Sequence, residues 1–253
     1  MITPAIQFAY LTRFGDTALI LSQRLAELCG KGPAIEEDMA LANTALDLLG
    51  QARLWLTYAG EIENAGRDED ALAYLRNHRE FHNFPLVEQP NTSYAEVLMR
   101  QFYFDVWHNL ALARLEGSAD LRIAEIAAKS RKEAAYHLRR SSDLIVRLGD
   151  GTEDSHARMQ SAAETLWPFT GELFTPDLAD REMAACGQGF DPELLKDVWF
   201  HYLRQVFERA TLHIPPAGAW MHSGGKQGVH TEHLSYLLAE MQVLHREYPG
   251  AAW

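Results

Sequence analysis

Residues 93–151 read SYAEVLMRQFYFDVWHNLALARLEGSADLRIAEIAAKSRKEAAYHLRRSSDLIVRLGDG, and this stretch decides the fold. Apolar side chains return every three to five positions, at Leu98, Phe102, Val106, Leu110 and Leu115, which is the period of a helix and not of a strand. Ser93 is placed to cap this helix and Gly117 to end it. A second helix is predicted from Ala119 to Leu148, where Gly149-Asp150-Gly151 stops it. The two form a long hairpin.

Working outward, the N-terminal side repeats the pattern. A helix is predicted from about Leu11 to Leu28, with Asp16, Ile20, Gln23 and Glu27 in one row and a stop at Cys29-Gly30-Lys31-Gly32-Pro33. Its partner opens at Glu36-Glu37-Asp38, where carboxylates suit the positive end of the helix dipole, and runs to about Ala59. A short helix from Asp68 to about Arg79 leads into a crossover broken by Pro85 and Pro90. Alternating strand-like runs are almost absent. Two long hairpins joined by a crossover are the outline of a ferritin-like four-helix bundle, a plan that other all-helical folds share. Beyond Gly151 come a helix containing Trp167-Pro168, one after Thr175-Pro176-Asp177, one opening at Asp191-Pro192, and a last from about Thr231 to Tyr248. The expectation is an all-α chain forming a single domain over 1–253, with 11–149 the core bundle and 152–253 additional helices.

Composition narrows the function classes. The 253 residues carry 35 acidic against 23 basic side chains, a formal charge of −12, which disfavours a general nucleic-acid binder. A hydrophobic share of 47% and a charged share of 23% describe an ordinary folded protein. Two cysteines, Cys29 and Cys186, build no disulfide framework, and no signal-like start or long apolar run appears. The chain reads as soluble and cytoplasmic, with no membrane partner.

Bundle oxidases bind two irons through a Glu on each of two helices and a Glu-x-x-His on each of the other two. The third long helix offers Asp105 and His108 on one face, and the fourth offers Glu133 and His137. The second helix offers Asn43, Asp47 and Gln51, and the first Asp16 and Gln23. Amides are poor ligands for a catalytic iron pair, so the constellation is incomplete. Asn43, Asp47, His108 and Glu133 read as a polar seam or as partly solvated residues. His222, His230 and His233 lack a ligand spacing and read as surface histidines, and Gly224-Gly225-Lys226-Gln227-Gly228 as a flexible interface loop rather than a phosphate loop. Lys129, Arg131, Lys132, Arg139 and Arg140 form the basic cluster of an acidic chain, a dock for an acidic partner or a solvated helix face.

Several segments carry a resemblance. They are Leu21-Ser22-Gln23-Arg24-Leu25, Leu41-Ala42-Asn43 with Asp47 through Arg53, Val87-Glu88-Gln89-Pro90-Asn91, Lys132 through Arg139, and Gly224-Gly225-Lys226 to Gly228 with His230-Thr231-Glu232-His233-Leu234 and Leu238 through Gln242. From about Phe8 to Trp253 the chain resembles the non-catalytic, ferritin-like structural subunits of bacterial ring 1,2-phenylacetyl-CoA epoxidases.

The resemblance implies a scaffold role in phenylacetate catabolism and no cofactor in this chain. Set against the related catalytic subunits, the helix-one ligand falls on Gln23, the Glu-x-x-His of helix two on Leu48 and Gln51, the helix-three carboxylate on Asp105, and the Glu-x-x-His of helix four on Ala134 and His137. Only Asp105 and His137 keep a ligand type. The implied partners are the di-iron catalytic subunit, in a heterodimer or heterotetramer, a small bridging subunit, and a reductase carrying FAD and an iron-sulfur cluster and drawing on NADPH. A bundle that keeps Asp105 in its interior must pair it, and His137, Gln51 or a basic side chain is expected to do so. The competing expectation is a di-metal oxidase or hydroxylase active by itself, built on Glu133, His137, Asp105, His108 and Asp47. A free-standing helical binding module is a third.

Overall fold

The computed structural model describes residues 2–216 and 218–251, and the end of the resemblance at Trp253 lies outside them. Among the described residues there is no strand. The fold is all-α, and its helix order is that of a ferritin-like bundle with helices added at the C-terminal side. The chain divides into two compact units. The sequence grouped 11–149 as one core. By compactness the first hairpin goes with the segment from Ser223 onward, and the second hairpin with the helices that follow it up to His222.

The first unit is built on α1 (Pro4–Ala26) and α2 (Ile35–Glu63). Their antiparallel course is marked by the Ser22 hydroxyl donating to the Ala45 carbonyl at 2.8 Å. Helix α1 begins at Pro4 rather than near Leu11, because the Thr3 side chain accepts from the Ile6 N–H and proline fits the first turn. The segment expected as one helix from Asp68 to Arg79 is α3 (Glu69–Tyr74) followed by a 3-10 turn, His78–Glu80. Two local signals split it. Asp68 caps α3, and Asn77 and Glu80 form a second, reciprocal cap that starts the chain afresh.

The second unit pairs α4 (Tyr94–Leu115) with α5 (Leu121–Gly149), capped by Ser93 and Asp120. Then come α6 (Glu153–Leu166), α7 (Leu178–Ala185) and α8 (Lys196–Arg209). Trp167-Pro168 is not inside α6 but in the 3-10 turn that follows it, since Pro168 has no N–H to continue the ladder. Aromatic side chains fill this unit and are tied to backbone. The indole of Trp107 donates to the Leu173 carbonyl at 3.1 Å, that of Trp199 to the Tyr103 carbonyl at 3.1 Å, and the Tyr103 hydroxyl to the Ala163 carbonyl at 3.2 Å. The last helix, α9 (Glu232–Glu247), belongs to the first unit.

Candidate functional site

In the second unit the polar interior is centred on Asp105 of α4. The Gln101 amide, one turn earlier, donates to Oδ1 at 2.7 Å, and the Ser141 hydroxyl of α5 donates to Oδ2 at 2.8 Å. Burial pushes this carboxyl up to about 6, against the opposing influence of His137, Ser141 and Gln101. Two hydrogen bonds to the carboxylate thus come from Gln101 and Ser141, while of the expected partners His137 and a basic side chain, Arg140, act on it through their charge. Gln101 and Ser141 escaped the sequence reading. Each leaves one signal, a polar residue four positions along the helix from Asp105 or from His137.

His108 is buried and stacked on Phe104, with ring centroids 4.7 Å apart. Burial and then the charge of His137 push it down to about 3, so it is a neutral ring at ordinary pH. His137 is also buried, as is Ala134 one turn before it. In the first unit Leu48 and Gln51 are buried, whereas Gln23 is half-buried. Leu48 and Ala134 stand where iron ligands are expected, and their hydrocarbon side chains offer no lone pair. Among the described residues no three His, Cys, Asp or Glu side chains gather as metal ligands would. The donor set does not fit a di-iron centre.

The first unit holds two further buried networks. Asp16 of α1 is fully buried and takes both terminal nitrogens of Arg76, Nη1 at 3.1 Å, together with the His82 N–H at 2.8 Å. Glu88 accepts from the Asn83 amide at 2.9 Å, the Thr231 N–H at 2.6 Å and the His230 ring at 2.9 Å. The other nitrogen of His230 lies 2.9 Å from the Phe81 carbonyl. Both ring nitrogens thus face acceptors, which favours the doubly protonated form. Burial, the largest single influence on this ring, pushes its pKa down, but the hydrogen bond and charge of Glu88 outweigh it and the net shift is upward.

The family model for phenylacetic acid catabolic proteins matches residues 3–253. The chain belongs to this family. It is 48% identical over 245 residues to one of the subunits of 1,2-phenylacetyl-CoA epoxidase from Escherichia coli strain K12, spanning 97% of this chain and 98% of that protein. It is a homologue of that epoxidase component.

Two of the family-like motifs, around Glu88 and around His230-Thr231, are the halves of one buried network. The expectation of a surface His230 is corrected accordingly, because its side chain is 1% exposed. The glycine loop is also corrected from flexible to packed. Lys226 is buried with its ammonium 5.6 Å from the centre of the Phe84 ring, Gly225 and Gly228 are buried, and Gly224 is half-buried with φ of 115°. Gly228 has φ of 74°, and a Cβ there would sit 2.1 Å from the Arg79 carbonyl oxygen, so only glycine fits. Of the seam residues, His108 is interior, Asp47 and Glu133 are half-buried, and Asn43 faces solvent and so lies outside any interior seam. Among the described residues no helix is long and apolar enough to cross a membrane.

Proposed function

We propose that this chain is a structural subunit of a cytoplasmic phenylacetyl-CoA epoxidase, which binds and steadies a di-iron subunit and does not itself activate oxygen. The observation that carries the reading is the buried hydrocarbon at Leu48 and Ala134, together with an Asp105 whose oxygens are each satisfied by a neutral donor. A site built to hold iron would present carboxylates there. The near full-length likeness to the Escherichia coli epoxidase component supports the setting. On this reading the iron-bearing partner epoxidises the ring with oxygen. A reductase with FAD and an iron-sulfur cluster passes it electrons from NADPH, and a small bridging subunit joins the assembly, whose core is a heterodimer or heterotetramer.

The test is the iron content of the chain purified alone from iron-replete medium, beside the activity of the iron-bearing subunit with and without it. Near-zero iron, and epoxidation that requires this chain, are expected. About two irons per chain, the stoichiometry of di-iron bundles, would establish instead an oxidase active by itself. Full epoxidation by the partner and reductase alone would remove the scaffold role.

A further inference from the structure

Three helices of the second unit line one polar cleft. Its volume is about 310 Å³, and around it stand Asn109 of α4, Arg139, Ser142 and Asp143 of α5, and Tyr202 and Arg209 of α8. Ala135 and Leu138 complete the lining, and they fall in the same three- and four-residue row of α5 as Arg139, Ser142 and Asp143. A concavity of this size, with a few convergent polar groups beside carbon, suits a small molecule.

The fold makes little use of these polar ends. Among the described residues the side chains of Asn109, Asp143 and Arg209 make no hydrogen bond or ion pair, and Arg139 only lies over the Tyr136 ring, 5.6 Å from its centre. Arg139 and Asp143 are one turn apart on α5, a spacing at which opposite charges can pair, yet they do not. Elsewhere the chain couples such groups. Arg158 holds Asp154 at 2.8 Å one turn away, and Arg131, from the same basic run as Arg139, holds Glu116. The hydroxyls at the cleft leave a donor as well. Ser142 donates to the Leu138 carbonyl at 2.6 Å, so toward the Tyr202 hydroxyl, 3.2 Å away, it can only accept. That second contact is long for two hydroxyls, and an anionic oxygen is the stronger acceptor for the phenol proton.

Chemistry decides the ligand. The donors are two guanidinium forks, an amide and a phenol, and one carboxylate stands among them. Guanidinium takes phosphate and carboxylate alike, but a phosphoryl group has three terminal oxygens to share among donors from three helices, where a carboxylate has two. Asp143 opposes a bare anion and accepts from a hydroxyl. We infer that the cleft binds a small phosphate ester of a polyol, its phosphoryl group held between Arg139 and Arg209 and one of its hydroxyls donating to Asp143. Such a ligand ties α5 to α8 and stabilises the chain by mass action.

The experiment titrates the purified full chain by calorimetry with ribose 5-phosphate, inorganic phosphate and ribose, and reads melting temperatures with and without each. Ribose 5-phosphate is expected to bind with a Kd below about 1 mM and to raise the melting temperature, inorganic phosphate to bind at least about tenfold more weakly, and ribose not to bind. Arg139→Gln and Arg209→Gln should each weaken ribose 5-phosphate at least about tenfold while melting as wild type does without ligand, since both side chains are exposed. Asp143→Asn should narrow the gap between the ester and inorganic phosphate. The double change Lys129→Gln with Lys132→Gln, exposed on the same helix but outside the cleft, should leave the affinity within about twofold. No binding of ribose 5-phosphate at about 10 mM, or arginine variants that bind it as wild type does, would overturn the site. An equal loss in the lysine variant would reduce the effect to the diffuse field of a basic helix, and inorganic phosphate binding as tightly as the ester would remove the polyol, so either result overturns the proposal too.

Discussion

Asp105 is fully buried and accepts from the neutral donors Gln101 and Ser141, and burial outweighs every influence that favours its charge, so that charge is a cost that pH controls. Its folded value of about 6 lies above the ordinary 3.8, so the folded state holds the proton more tightly than the unfolded chain does. The stability gained from that proton is complete below the unfolded value and is lost as pH rises through about 6. Replacing Asp105 with Asn removes the buried charge. The new amide keeps the Ser141 bond and can donate to Gln101 Oε1, which is buried without a hydrogen-bond partner among the described residues. Asp105→Asn should therefore stabilise the chain at pH 8 by on the order of 3 kcal/mol, with the gain vanishing near pH 4. Denaturant melts at the two pH values measure it. His108 titrates with the opposite sign but is present in both proteins, so it cancels in the difference. An equal gain at both pH values would mean that the Asp105 charge is already satisfied.

Between elements, the buried Glu88–His230 pair ties the chain before Pro90 to the start of α9. Because the His230 pKa is raised, its contribution is complete below the unfolded value of 6.5 and is lost as pH rises through the higher folded value. His230→Gln should destabilise the unit by about 2–3 kcal/mol at pH 6. The difference should narrow on the alkaline side, and amide exchange in α9 should quicken. Gly228→Ala meets both a left-handed backbone and the Arg79 carbonyl, and should cost at least about 2 kcal/mol, read as a drop in melting temperature. These two sites also show what a sequence conceals. The caps Ser93 and Asp68 were legible because a cap and its N–H are neighbours in the chain. So was the apolar period of α4 and α5. The end of α3 was less so, since Arg76 leaves the helical row to reach Asp16, 60 residues away. Glu88 and His230 are 142 residues apart, and nothing local in either tells that they meet. At the candidate site, Asp105 and His137 could be picked out by type and spacing. Gln101 and Ser141 could not, because an amide or a hydroxyl on a helix carries no mark of what it will bond.

For the molecule as a whole, a formal charge of −12 is a long-range field that acts before any contact forms. Its effect on association depends on where the charge sits relative to the docking face. On α2 the carboxylates Glu36 and Asp47 flank the exposed apolar row of Ile35, Met39, Leu46 and Leu49, close enough to steer a basic-flanked helix yet outside the dry centre of such a contact. Rim charges of this kind act on the approach rate, while apolar anchors such as Leu46 act on the departure rate. Raising salt shortens the range of the field from about 30 Å at 0.01 M to a few ångströms near 1 M. The association rate with the iron-bearing subunit should accordingly fall about tenfold over that range, with the dissociation rate nearly unchanged. Stopped-flow mixing over a salt series reads the first and surface-plasmon dissociation the second. Replacing Glu36 by glutamine and Asp47 by asparagine should flatten the salt series while leaving the dissociation rate in place. A salt-independent association rate in the wild-type chain would mean that the partner's docking helix is not basic, and that the apolar stripe alone selects it.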